Sequence, residues 1–453
     1  MNLSDKDLLQ QLGTGATIAS VCGAAGCTRA EFDRWWQETI DRRVPRADEI
    51  HAPVASPVQI ERDEWGIPHI HADNDRDLFV AFGYAMAEDR LFQLDYLRRK
   101  STGRLAQILG EEALPSDLLV RTVDLAGIAA TEWDRLPTET QQLLTSFTAG
   151  VNAVIEQSMQ NLPVEFDLLG YEPAPWTEID CLAIESEFRW YLTGRFPVIV
   201  IPELAKRTLG DGALYGQFMS GEAMDESILP ADGYPSSSER HAAEPLSAPM
   251  GGFDDGTGSN NWVVSGRMTE SGKPLVASDP HIAIEAVSCW YQAHLCGGSF
   301  NVAGMSYVGM PAIMFGRNEQ VAWGITNNIC SQRDLYQEKT DADHPNCFLY
   351  DGQWEPWHER TETIEVRDQP TVVEEIRISR NGPMVDKLLP PPADTTGPVS
   401  LKWLGMFEGG WLTAMLAMNR AQSVAEFSDA LRPWHVPTFS LVFADTQGDT
   451  GLK

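Results

Sequence analysis

Apolar residues recur at helical spacing in the first part of the chain and at alternating or clustered spacing in the last. Residues 5–12 and 29–43 place apolar side chains, Phe32, Trp35, Trp36 and Ile40 among them, along one helix face, joined through Gly23, Gly26 and Cys27. Residues 18–32 have the outline of a helix-turn-helix. Residues 58–71 alternate like a hairpin with its turn at Glu64 to Gly66. Leu78, Ala81, Phe82, Ala85, Leu91, Phe92, Leu94 and Leu97 predict a largely buried helix pair over 75–109, and further helices follow over 138–161 and 180–192. Residues 221–258 are rich in Ser, Pro, Gly and acids and show no period, the pattern of a linker. Short β runs then follow at 261–266, 274–278, 288–295, 300–305, 312–315, 321–326, 372–379 and 441–444, with one helix at 423–431. The expected class is α+β. Its parts are a helical extension over 1–48, a mainly helical region over 49–220, the linker over 221–258, and a β-rich region over 259–453.

Charge narrows the function. Acids outnumber bases 65 to 34, a formal charge of −31. Such a field repels phosphate backbones and anionic lipid, so neither nucleic acid nor a membrane is an expected partner. The two-helix outline at 18–32 therefore reads as a small extension packing on the body or on a partner, rather than as a DNA reader. No apolar run reaches the ~20 residues of a membrane span; the longest, around 403–418, is broken by Glu408 and by Gly409 and Gly410. Asp5, Lys6 and Asp7 stand where a secretory leader would carry a basic segment and an apolar core, so a cytoplasmic location is expected. Seven cysteines without a tight CxxC pair suggest neither a disulfide scaffold nor a zinc site.

The linker ends at Gly258-Ser259-Asn260-Asn261-Trp262. A serine after glycine at a linker-to-strand junction can be a simple turn. Gly258, without a side chain, also lets the Ser259 hydroxyl approach the preceding carbonyl. Cleavage there would free an α-amine on the residue that carries the hydroxyl. Such an amine titrates near ~7.7–8.0, against ~10.4 for lysine, so part of it is neutral at working pH and serves as general base without a histidine.

Several stretches in order support that reading: Arg62-Asp-Glu-Trp-Gly-Ile-Pro-His69, Gly83-Tyr-Ala-Met-Ala-Glu-Asp-Arg-Leu-Phe-Gln-Leu-Asp95, Gly103-Arg-Leu-Ala106, Gly258 to Trp262, Ser278-Asp-Pro-His281, and Gly316-Arg-Asn-Glu-Gln-Val-Ala-Trp-Gly-Ile-Thr-Asn327. With these the chain resembles the penicillin acylase family of N-terminal-nucleophile hydrolases, from Val58 to its C-terminus. The resemblance implies a four-layer αββα core and a precursor that cuts itself between Gly258 and Ser259, loses residues 221–258 as a spacer, and persists as an α/β heterodimer. It implies hydrolysis of a linear acyl amide, with Ser259 as nucleophile and Asn327 as the backbone donor of the oxyanion hole. The residue matching His281 orients the N-terminal amine through its main chain; His281 reads equally as a structural histidine after Asp-Pro. The acyl pocket maps onto Leu192, Phe196, Ile282, Met314, Phe315 and Ile325, an apolar set suited to an aliphatic or aromatic acyl group, with Arg195 beside it as a cation that could greet a polar tail. No cofactor is required. A structural calcium is common in the family, and its ligands fall on Glu203, Ser331, Arg333 (main chain), Asp334 and Pro437 (carbonyl), with Ser331 in place of an aspartate. Residues 437–448 match an internal family segment, so the resemblance implies a C-terminally truncated chain, or a separate chain that supplies the remainder, including the oxyanion asparagine.

Two other readings stand beside it. His69 and His71 share one face of a strand, as a catalytic metal pair would, with His281, His294 or acids as further ligands. Alternatively the chain is an acylase-like scaffold whose helical extension binds a partner.

Overall fold

The computed structural model describes residues 2–44, 51–193, 196–219, 259–282, 288–327, 330, 332–391, 393–407 and 409–453. Helices α1 (Asp5–Gly13), α2 (Ile18–Ala25) and α3 (Arg29–Asp41) open the chain. Ser4 and Thr28 accept the N–H groups of Asp7 and Glu31, whose carboxylates reach back to the capping residues, fixing where α1 and α3 start. Leu8, Leu9, Val21, Ala25, Phe32 and Trp35 close a small core of their own. This unit meets the body at the Val164–Leu169 helix, where Arg43 pairs with Asp167 at 2.5 Å and Arg43 Nε also donates to the Leu162 carbonyl.

The hairpin of β1 (Gln59–Arg62) and β2 (Pro68–Ala72) leads into α4 (Asp75–Thr102), which kinks at Arg90. Nearly every side chain from Leu78 to Ala87 is buried, so this half of α4 is a core helix rather than an amphipathic one. It crosses the Thr138–Ser158 helix at two glycines. A Cβ on Gly83 would lie 2.1 Å from the Phe147 carbonyl oxygen, and one on Gly150 1.9 Å from that of Val80. The Glu178–Leu192 and Trp411–Arg420 helices complete this layer.

The remaining strands of the first β region are β3 (Ser259–Val264), β4 (Leu275–Pro280), β5 (Trp290–Gly297), β6 (Phe300–Tyr307), β7 (Phe315–Asn318), β8 (Val321–Asn327) and β9 (Arg333–Gln337). An eight-stranded sheet runs β1-β2-β5-β6-β7-β8, then the Phe439–Asp445 and Thr450–Leu452 strands. Only the β2–β5 pair is parallel. Tyr291, Ala293, Leu295, Val302, Trp323, Ile325, Leu441 and Phe443 share one core with α4 and its neighbours, so that face carries the helices. Gly324 points to the other face, where the β3–β4 hairpin packs. The molecule is thus α+β, layered as helices, sheet and hairpin among the described residues. The strand expected at 312–315 begins only at Phe315. The Asn419 side chain donates to Ile313 O at 2.7 Å and accepts Ile313 N–H at 2.9 Å, so Ile313 bonds to a helix instead of a ladder. Among the described residues no helix is long and apolar enough to cross a membrane.

Candidate active site

Ser259 is the first residue of β3, paired across the hairpin with Pro280. Its Oγ accepts the main-chain N–H of His281 at 3.1 Å. The His281 ring turns elsewhere, with Nε2 2.9 Å from Asp279 Oδ2. The contact to the hydroxyl therefore comes from the backbone at 281, not from the imidazole. Gly258 lies outside the described residues, as does the whole of 221–258.

Three groups that the sequence reading passed over place this hairpin. Asn261 Nδ2 donates to the Ser440 carbonyl at 2.8 Å, tying β3 to the Phe439–Asp445 strand. Ser278 Oγ accepts the Ile325 N–H at 3.1 Å, tying β4 to β8. Gly324 makes room for that approach, since a Cβ there would sit 2.7 Å from Ser278 Cβ. All three lie inside or next to quoted motifs. Only the Gly in Trp323-Gly-Ile carried a signal, because a glycine in a strand marks a close approach.

Asn327 ends β8, and its Nδ2 donates to the Leu192 carbonyl at 2.9 Å, meeting an orphan acceptor at the end of the Glu178–Leu192 helix. Its Oδ1 is shielded from solvent and has no hydrogen-bond partner among the described residues. Leu192, Met314, Phe315 and Ile325 belong to the main core, with Ile282 packed on its margin. Phe196 lies in a second cluster with Val200, Trp403 and Trp190, the Trp190 ring centred 5.8 Å from its own. Arg195 is outside the described residues.

Arg333 carries more than its main chain. The side chain is 4% exposed, its guanidinium lies 3.4 Å from the Trp190 ring centre, and it donates to Thr193 Oγ1 at 2.9 and 3.1 Å. Burial pulls its pKa down to about 9. The site thus binds the end of the Glu178–Leu192 helix to β9 by cation–π stacking and hydrogen bonds.

The carried-over calcium ligands are spread among other bonds. The Glu203 carboxylate pairs with Arg207 at 2.9 Å, the Pro437 carbonyl accepts the Trp434 indole N–H at 2.7 Å, Asp334 is exposed, and Ser331 is outside the described residues. Among the described residues no three His, Cys, Asp or Glu side chains come together as a metal site. A hard cation takes 6–8 oxygen ligands, and of the carried-over donors Glu203 and the Pro437 carbonyl are engaged in the bonds just given. The histidines of the hairpin are spoken for as well. His69 Nδ1 is 3.1 Å from His294 Nδ1 across the β2–β5 pair, and His294 Nε2 is 2.9 Å from Asn301 Oδ1. His71 meets His294 edge to face.

Residues 57–453 match the family model described as Penicillin amidase. The chain is similar to the penicillin acylase 2 proenzyme of Pseudomonas sp. strain SE83, at 31% identity over 88% of this chain and 52% of that protein. It is similar at 27% identity to the acyl-homoserine lactone acylase QuiP of Pseudomonas aeruginosa, over 96% of this chain and 53% of the relative. Among solved structures, the thermostable penicillin G acylase of Alcaligenes faecalis in its orthorhombic form aligns with a TM-score of 0.38 at 24% identity, covering 42% of this chain and 34% of that one. The chain spans about half the length of the curated relatives it matches. Matched over most of its length by that family model, and by a relative at this identity, the chain belongs to the penicillin amidase family.

Proposed function

We propose that this chain carries the nucleophile of an amidohydrolase acting on a linear amide between an acyl group and an amine. The observation that carries the proposal is the Ser259 hydroxyl at the first position of β3, held by the His281 N–H and braced against β8. Cleavage between Gly258 and Ser259 gives that residue its own base. The Ser259 Oγ attacks the amide carbon while its proton passes, through one water, to the Ser259 α-amine. The carbonyl oxygen becomes an oxyanion facing the main-chain N–H of Asn327, a donor worth ~2.7–4 kcal/mol. The proton then goes to the leaving nitrogen, the amine departs, and water hydrolyses the acyl-serine ester. By the family resemblance the acyl group would lie against Leu192, Ile282, Met314, Phe315 and Ile325, apolar residues of the main core and its margin whose character suits an aliphatic or aromatic chain. Relatives named for penicillin and for acyl-homoserine lactones share the chemistry of an acyl amide, which supports this class. No step runs through a metal.

The test is acyl transfer with the protein incubated with N-acyl amides and an activated acyl ester. The expected outcome is amide hydrolysis, with the acyl group trapped on the peptide that starts at Ser259, and loss of both in Ser259→Ala. Hydrolysis that survives Ser259→Ala but stops in a chelator would overturn the proposal in favour of metal chemistry.

A further inference from the structure

Two of the cysteines stand side by side, although four residues separate them in sequence. Helix α2 ends with Gly26 in the left-handed region, at φ 64° and ψ 38°. The Cys27 N–H donates to the Cys22 carbonyl at 3.0 Å, and the Gly26 N–H to that of Gly23 at 3.4 Å. This pair of bonds is the Schellman ending, in which the side chain just past the cap packs on the one four residues before that cap glycine. Here both of those positions are cysteine. The Cys22 Sγ also lies 4.0 Å from the carbonyl of Thr28, the residue that caps α3. Both thiols are free, half-buried and packed against the core of the α1–α3 unit. Burial and a hydrogen bond to Cys22 raise the pKa of the Cys27 thiol. That unit has a core of six buried side chains, a size at which small modules commonly need a covalent staple.

We propose that Cys22 and Cys27 form a dithiol–disulfide couple that low-molecular-weight disulfides oxidise, stapling the end of α2 to the start of α3. One protein thiolate attacks a sulfur of the small disulfide RSSR, and RS⁻ leaves. The second thiolate then displaces the other RS⁻ from the mixed disulfide. The two protein thiols lose two protons and two electrons, and RSSR is reduced to two RSH. The geometry favours closure, since the backbone bond between residues 22 and 27 holds their Cα atoms near the ~4.4–6.8 Å span of a disulfide.

The test uses the full chain in native buffer with oxidised glutathione, followed by alkylation and tryptic mapping. Residues 7–29 form one tryptic peptide that holds both cysteines. The expected product is this peptide unalkylated and lighter by two hydrogen atoms, with closure slowed when the chain is unfolded in urea. In Cys22→Ser the reaction should halt at a glutathione adduct on Cys27. A peptide alkylated at both sites, stable glutathione adducts at both in the wild-type protein, or closure equally fast in urea would each overturn the proposal.

Discussion

A missing methyl group at Gly324 sets where the nucleophile sits. The β4 backbone and Ser278 occupy the space a side chain would take, and Ser278 then bonds to the neighbouring N–H of Ile325. Gly324→Ala should lift the hairpin off the sheet at a cost of ~1–3 kcal/mol, as overpacking does. The expected readings are a lower thermal midpoint and a loss of acyl transfer beyond what stability explains; an unchanged midpoint would contradict the packing. Asn327 gives a sharper contrast. Its proposed role lies in the main chain, so Asn327→Ala should keep most of the activity and lose only the bond to Leu192, about 0.5–1.5 kcal/mol of stability. A loss of ~10²–10³ in kcat would instead place the side chain in the reaction. At this scale short motifs drew attention to Ser259 and His281, which the structure brings together through the His281 N–H and the Ser259 Oγ. The sequence was silent on the side chain of Arg333 and on Trp190 and Thr193, because the contacts of that side chain join residues far apart in the chain.

Helices and strands show the same division. The long periodic segments were readable: 138–161 is the Thr138–Ser158 helix, 180–192 falls within Glu178–Leu192, and the 58–71 hairpin is β1 and β2. The Leu114–Val123 and Leu125–Arg135 helices were not, since each is short and shares its burial with distant partners. How closely α4 approaches the Thr138–Ser158 helix is also invisible to periodicity. It depends on Gly83 and Gly150 facing each other's helix backbones, so alanine at either should cost ~1–3 kcal/mol or more, read by chemical denaturation. The Glu178–Leu192 helix holds a further buried network. Arg189 is taken by Glu132 at 2.5 Å, leaving Glu185 3.9 Å away and 1% exposed. Burial and the repulsion of Glu132 push the Glu185 carboxyl up to about 8. A raised carboxyl favours the fold in its protonated form, so its contribution is full below the ordinary carboxylate range near 4.5 and is lost as pH rises through about 8. Glu185→Gln should flatten this fall in thermal midpoint and gain stability above pH 8. A slope unchanged in the variant would show that another group titrates.

The whole molecule is interleaved across the proposed cut. β2 precedes it and β5 follows it, and the two form a parallel ladder from His69 and His294 to Ala72 and Gly297. The main core likewise mixes α4 with β5, β6 and β8. Cleavage at Gly258 should therefore leave two fragments that elute together in native buffer and part only in denaturant. The succession of helices before strands was legible in the hydrophobic pattern, with 221–258 outside the described residues, whereas the pairing of β2 with β5 was not, because it joins distant segments. The claim on which the rest stands is that Ser259 becomes an N-terminus. N-terminal sequencing of the purified wild-type protein and of Ser259→Ala tests it most directly. The account predicts a second sequence, Ser-Asn-Asn-Trp, in the wild type and its absence in the variant; an active wild-type protein with no terminus at Ser259 would contradict it.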